Sequence, residues 1–513
     1  MMRIPSFRSQ GSISLDRKKS AADRPIEALG PSALMSYCLK PRQGLIALPR
    51  VSPGDHVLRG TVIAGGYGPW DPPIHASTSG TVIACLEAPY ANPQGQTSLS
   101  LQIESDGLDQ ATPPLPPLSI RGLDRQSLVQ RLQEAGIVGL GGGAFPAAVK
   151  ASNETPLHTL IVNGVECEPY VSGDDRLLRE RAQEILEGAE IFARVLGIQN
   201  ILVAIDEYLE EAITATHQAL RAVPREGFRL SRVPGRYPAG GERQLIKRLT
   251  GREVKSGETP QMIGVICQNV GTLLALGRAI TQGEILTSRV LTMGGEGIRT
   301  PRNLEVRFGT PIEDVIIYCG GLLAPNARLW HGGPMMGFEL NDRLCPVTPK
   351  THAILALEPP PSTPAPAPCI RCGACNDACP AYLLPEALYR ASRSAHLETL
   401  AALHVGDCIG CGACNVVCPS HLPLVESFLF SQEQQAKAQA ERERADHARQ
   451  RYEARISRLQ RQEIERERVR FERKTALEQN SSPRIHEAIE RARQKQQAMS
   501  TAILKESIDD DRH

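Results

Sequence analysis

From Cys369 the chain reads C-I-R-C-G-A-C-N-D-A-C-P, and from Cys408 it reads C-I-G-C-G-A-C-N-V-V-C-P. Each run is C-x2-C-x2-C-x3-C-P, the spacing that holds a pair of [4Fe–4S] clusters. Each cubane takes four thiolates: three come from one loop, and the fourth Cys of each run crosses to the other cluster. Cys369, Cys372, Cys375 and Cys418 are therefore expected on one cluster, and Cys408, Cys411, Cys414 and Cys379 on the second. Gly373 and Gly412 fall where a side chain would crowd the sulfides, and Pro380 and Pro419 turn the chain away without an unpaired N–H. Zinc knuckles use two C-x2-C pairs instead. A disulfide cluster needs an oxidising compartment, which nothing here signals.

A second stretch carries phosphate-binding chemistry. Gly139, Gly141, Gly142 and Gly143 crowd together ahead of Phe145-Pro146 and a helix expected to end near Lys150. Glycines let backbone N–H groups approach a phosphate, and a helix N-terminus and a Lys add positive potential. The spacing is neither a Walker A loop nor G-x-G-x-x-G with its acidic partner, and an ordinary turn explains such a cluster about as well.

These stretches sit in a chain of 513 residues, too long for one core. Net charge is +1, which argues against a nucleic-acid binder working by phosphate neutralisation. Eight of the 14 Cys belong to the two runs, and the rest are scattered as free thiols of a reducing compartment would be. The sequence shows no bilayer-spanning apolar run and no signal-peptide core, so a cytoplasmic location is expected, with membrane contact through partner subunits.

The expected fold is a multidomain α/β protein. Residues 1–41 read as a flexible N-terminal arm. Residues 42–118 carry short β runs and turns such as Pro53-Gly54-Asp55, in the manner of a barrel-sandwich hybrid. Carrier domains of that type hold a Lys at a hairpin tip. Here the matching stretch is His75-Ala76-Ser77-Thr78, which favours a packing role, with His75 at a surface or interface. Residues 119–357 alternate helical and strand-like segments, with a β-grasp-like part near 290–345. A Pro-rich linker (358–368) leads to a ferredoxin-type module (369–430), and 431–513 read as a charged helical or partly disordered tail.

In combination, G-L-G-G-G-A-F-P-A-A-V-K, N-G-V-E-C-E-P, Y-P-A-G-G-E-R-Q-L-I and Q-N-V-G-T-L resemble the FMN- and NADH-binding subunit of respiratory complex I. With the β-domain ahead and two Cys runs behind, the order is more similar to the C subunits of Rnf-type ion-translocating electron-transport complexes. The resemblance implies two [4Fe–4S] clusters, FMN, and NAD(H) as substrate. By it, the Gly139–Gly143 loop and Lys150 cradle the FMN phosphate and ribityl chain, and Phe145 stacks on the nucleotide. Asn163, Glu166 and Glu168 lie along the flavin and nicotinamide pocket. Tyr237, Gly240, Gly241 and Glu242 form the opposing wall, while Asn269 and Thr272 close the phosphate end. The chain departs from the complex I pattern at Val165, which replaces an acidic residue, and at Leu140, which replaces an Arg. Gly240-Gly241-Glu242 stands for that subunit's G-E-E.

The resemblance further implies a peripheral subunit on the cytoplasmic side of the inner membrane. Its partners would be membrane subunits of the same complex and a ferredoxin-like carrier. Two other readings fit the same residues. One is a soluble flavin and iron–sulfur subunit of a hydrogenase or formate dehydrogenase. The other is a flavin-free docking and electron-relay scaffold, as in the related A subunit of Na⁺-translocating NADH:quinone reductases.

Overall fold

A computed structural model describes residues 11–40, 46–223, 225–358, 365–480 and 483–509. Most of the Pro-rich linker, at 359–364, lies outside the described residues. The chain forms two units, residues 1–431 and 432–513.

The β-domain is built on an antiparallel sheet in the order Leu34–Cys38, Thr97–Ser105, Gly80–Pro89, His56–Val57. Val62–Ala64 and Ile74–His75 pair separately. Alternate residues of these strands bury Met35, Tyr37, Val82, Leu101 and Ile103, as the two-residue period of a strand requires. Each such side chain contributes about 1.5–3 kcal/mol by leaving water.

A parallel sheet forms the centre of the α/β domain, in the order Phe228–Val233, Asn200–Asp206, Thr159–Gly164, Val265–Asn269. The chain moves outward from Thr159–Gly164 through two strands, then returns to its other side. The resulting switch point lies between Thr159–Gly164 and Val265–Asn269, where open α/β sheets leave a crevice beyond the carboxyl ends of the strands. Asn163 and Asn269 face each other in register at those ends. Helices Gly173–Val195 and Val270–Thr281 pack closely over the sheet. A Cβ at Gly188 would overlap the Leu273 carbonyl, so glycine permits the approach.

A mixed sheet of six strands follows, in the order Glu27–Ala28, Arg302–Arg307, Ser288–Gly294, Ala353–Leu357, Arg328–His331, Phe338–Glu339. It reaches beyond the stretch 290–345 at both ends. It also corrects the expectation of a loose arm, at least for residues 11–40. Glu27–Ala28 adds a parallel strand, Leu34–Cys38 enters the β-domain, and Ile13, Ala21 and Met35 are buried. Residues 1–10 lie outside the described residues.

The Cys module folds from short helices, Ala374–Ala378, Pro385–Arg393, Leu397–Ala402 and Ala413–Val416, around Leu388, Leu400, Val405, Leu424 and Phe428. Leu424–Asn480 and Pro483–Asp509 are helical. Along the tail Tyr452, Ile464, Phe471 and Leu477 are exposed, with no continuous apolar seam. Among the described residues, no helix is long and apolar enough to cross a membrane.

Candidate functional site

The Gly139–Phe145 loop is a tight turn at the switch point. Gly139 N–H donates to the Phe145 carbonyl at 2.8 Å, and Ala144 N–H to the Gly139 carbonyl at 3.1 Å. Leu140 N–H donates to Thr272 Oγ1 at 2.9 Å, and Gly141 sits against the Asn269 side chain. Gly142 takes φ +97°, a conformation that favours glycine. The N–H groups of Gly141, Gly142 and Gly143 make no hydrogen bond to another described residue. A row of unspent donors on exposed or half-exposed glycines suits an anionic ligand. The loop therefore fits a nucleotide phosphate.

Beneath the loop lies a charged layer. Arg289 Nη2 donates to the Leu140 carbonyl at 2.9 Å, and burial lowers its pKa to about 10. Asn269 caps the helix Val270–Thr281 by accepting from Gly271 N–H, and its Nδ2 donates to Asp174 Oδ2 at 2.6 Å. Burial and the nearby Glu166 raise the Asp174 pKa to about 7. Leu140, Asp174, Asn269 and Arg289 line a cavity of about 70 Å³. The sequence reading missed Asp174 and Arg289, whose spacing marks only an exposed-looking helix start and strand.

Glu166 is buried. Its carboxylate accepts from the N–H groups of Asp174 and Asp175, at 3.0 and 3.3 Å, and so satisfies the first turn of Gly173–Val195. Lys19 lies 3.7 Å from it and also donates to the carbonyls of Glu166 and Val171. Burial raises the pKa of Glu166 against the pull of Lys19.

The remaining wall residues hold one another. Asn163 Nδ2 donates to the Gly240 carbonyl at 3.0 Å, and Gly240 N–H points at Cys167 Sγ at 3.4 Å. Any Cβ on Gly240 would overlap the Val165 carbonyl. Gly241 starts the helix Glu242–Thr250. Lys150 pairs with Glu242 at 3.0 Å and donates to the Cys267 carbonyl at 3.1 Å, in the middle of the strand Val265–Asn269. Phe145 meets Trp70 of the β-domain edge-on, ring centroids 5.7 Å apart, a contact with no local signature in sequence. His75 is buried against Gly136, at the seam of the β-domain and the α/β domain, and burial lowers its pKa to about 4.

Two wall residues reach the Cys module. Tyr237 is 2% exposed and its hydroxyl donates to the Cys411 carbonyl at 2.7 Å. Glu168, whose pKa burial raises, accepts from Met335 N–H at 3.0 Å, and the Met335 carbonyl lies against Gly412.

Seven of the eight Cys of the runs gather across the repeat. Burial and then the neighbouring Cys411, Cys408 and Cys379 push the Cys414 thiol up, and these four line one small cavity. Burial, with Cys372 and Cys418 nearby, does the same to Cys375. Gly373 and Gly412 take φ +79° and +72° at the starts of their helices. Thiolates so placed repel one another unless a cation joins them. A multi-iron cluster fits that donor set.

Known families match this order of parts. Residues 7–108 match the RnfC barrel sandwich hybrid domain, and 132–278 the Nuo51 FMN-binding domain. Residues 290–339 match the SLBB domain, and 366–422 the 4Fe-4S dicluster domain. The C subunit of the ion-translocating oxidoreductase complex of Rhodobacter capsulatus is 41% identical over 434 residues, 83% of either chain. The chain belongs to this family of C subunits. Proteins of the same name from Pseudomonas aeruginosa and Erwinia tasmaniensis are 42% and 41% identical, over 82% and 87% of this chain. The chain spans 54% and 56% of those two relatives' lengths. An NAD⁺-reducing [NiFe]-hydrogenase structure overlaps 62% of this chain at 20% identity and TM-score 0.44, too loose a likeness to carry an argument. The cofactors of this family member are FMN and two [4Fe–4S] clusters, which the matched domains hold.

Proposed function

We propose that the chain is the NAD(H)-side electron-transfer subunit of an ion-translocating complex. It sits peripherally on the cytoplasmic face of the inner membrane, bound through membrane subunits, and exchanges electrons with a ferredoxin-like carrier. The observation that carries this reading is the hydrogen bond from Tyr237 to Cys411, which ties the α/β domain that holds the glycine loop to the double Cys module.

Bound flavin supplies the conversion between two-electron exchange with NAD(H) and single-electron exchange with the clusters. The chain's residues hold the geometry for it. Gly141, Gly142 and Gly143 offer N–H groups to the phosphate, with Lys150 as countercharge and Glu242 holding that Lys in place. Asn163 and Asn269 line the strand ends, and Phe145, edge-on to Trp70, closes the glycine loop. Glu168 and Tyr237 close the wall nearest the clusters. Cys369, Cys372, Cys375 and Cys418 hold one cluster, and Cys408, Cys411, Cys414 and Cys379 the other.

The test is cofactor-resolved spectroscopy of the reconstituted full chain. Acid release of a flavin, bleaching of its absorbance by NADH, and EPR signals from two clusters are expected. Iron and sulfide without flavin, or no bleaching by NADH, would overturn the reading.

A further inference from the structure

The two cluster sites differ in their surroundings. Cys369 and Cys372 of the first run are exposed, as is Ile370 between them. Cys379, Cys411 and Cys414 of the second set are buried. The buried set faces the flavin wall: Tyr237 bonds the Cys411 carbonyl, and Met335, held by Glu168, abuts Gly412. Ile13, Tyr237, Ala378, Cys411 and Ala413 form one apolar cluster, with Cys167 and Met335 packed on it. The N-terminal segment completes the enclosure. Ile13 pairs with Tyr237 by backbone hydrogen bonds of 2.9 Å, and Gly11 N–H donates to the Asp377 carbonyl at 2.8 Å, against Cys379.

From this asymmetry we infer a fixed order of the two sites in the electron path. The site of Cys408, Cys411, Cys414 and Cys379 is the inner one, next to the flavin. The site of Cys369, Cys372, Cys375 and Cys418 is the outer one, which meets an external one-electron carrier. The inference rests on the flavin site proposed above. Oxidation of one NADH to NAD⁺ releases a proton to water and two electrons. With the cofactors bound, Cys408, Cys411, Cys414 and Cys379 would hold the group that exchanges single electrons with the flavin, and Cys369, Cys372, Cys375 and Cys418 the group that would pass them, one to each of two carrier molecules, or receive them in the reverse direction. Burial and hydrogen bonds to the ligand loop set a cluster's potential, so the dry inner site and the wet outer site are tuned by different residues.

Two measurements on the reconstituted full chain test the order. The first uses dithionite-reduced protein and a water-soluble dysprosium complex, with EPR power saturation as the readout. The cluster signal missing from Cys372→Ser should relax several-fold faster with dysprosium, and the signal missing from Cys379→Ser should change little. Equal relaxation of both, or the reverse, would overturn the order. This measurement needs neither flavin nor NADH, so it stands apart from the fate of the flavin reading. If either Cys variant fails to fold, Tyr237→Phe assigns the inner signal by shifting it alone. The second follows cluster reduction by NADH. In Cys372→Ser the remaining cluster should still be reduced, while cytochrome c reduction falls several-fold. In Cys379→Ser the remaining cluster should respond to dithionite and not to NADH. Reduction there by NADH at the unaltered rate would refute the inner assignment.

Discussion

The Tyr237 hydroxyl donates a 2.7 Å hydrogen bond to the carbonyl of Cys411, joining the α/β domain to the second Cys run across 174 residues of sequence. Both residues are buried, so neither group has water as an alternative partner. An unmatched buried carbonyl costs about 1–3 kcal/mol, which makes this bond a condition of the fold there.

Tyr237→Phe keeps the ring and removes the donor. We expect a loss of about 1–3 kcal/mol in denaturant unfolding. The EPR signal and midpoint potential of one cluster should shift, and those of the other should stay. Unchanged stability together with two unchanged potentials would show that the bond is unimportant.

Crossed ligation makes a selective prediction. Cys379→Ala should remove the cluster whose other ligands lie in the second run, and Cys418→Ala the cluster of the first run. Each should lower bound iron by about half, since each cubane holds four irons. Loss of the first-run signal from Cys379→Ala would refute the crossing.

Lys150 separates binding from stability. Its ion pair with Glu242 is partly exposed, so Lys150→Gln should change unfolding free energy by about 1 kcal/mol or less. Flavin retention, measured by fluorescence after desalting, should fall clearly. A variant that keeps its flavin under these conditions would remove Lys150 from the phosphate site.

Asp174 makes stability depend on pH. Its folded pKa, about 7, lies above the ordinary 3.8, chiefly through burial. The unfolded chain therefore ionises this group first, and the fold loses stability as pH rises from about 4 through 7. Asp174→Asn should flatten that part of the stability curve, with its largest relative gain near pH 8. Parallel curves for variant and parent between pH 4 and 8 would contradict the raised pKa.

Gly240 tests the wall directly. Gly240→Ala places a methyl group into the Val165 carbonyl, and the buried Val165 and Ala239 leave little room to yield. We expect about 1–3 kcal/mol of destabilisation and weaker flavin binding, read by thermal unfolding with and without added FMN. Equal unfolding temperatures for variant and parent would show that the wall can move.

Much of this protein is legible in local sequence because its chemistry is local. C-x2-C-x2-C-x3-C-P specifies a cluster loop within twelve residues, since a cubane demands fixed ligand spacing. The Gly139–Gly143 cluster marks a close backbone approach, and the alternation of helices and strands marks the parallel sheet. What the sequence leaves open depends on partners far away along the chain. No period or spacing announces that Ile13 pairs with Tyr237, that Glu166 serves a helix N-terminus, or that Arg289 supports the Leu140 carbonyl. Tertiary packing alone decides these, because a buried donor or carbonyl must be matched by whatever the fold brings beside it. The same rule sets the two cluster loops apart. Their sequences are nearly identical, and only the wall behind Cys411 makes one of them an interior site.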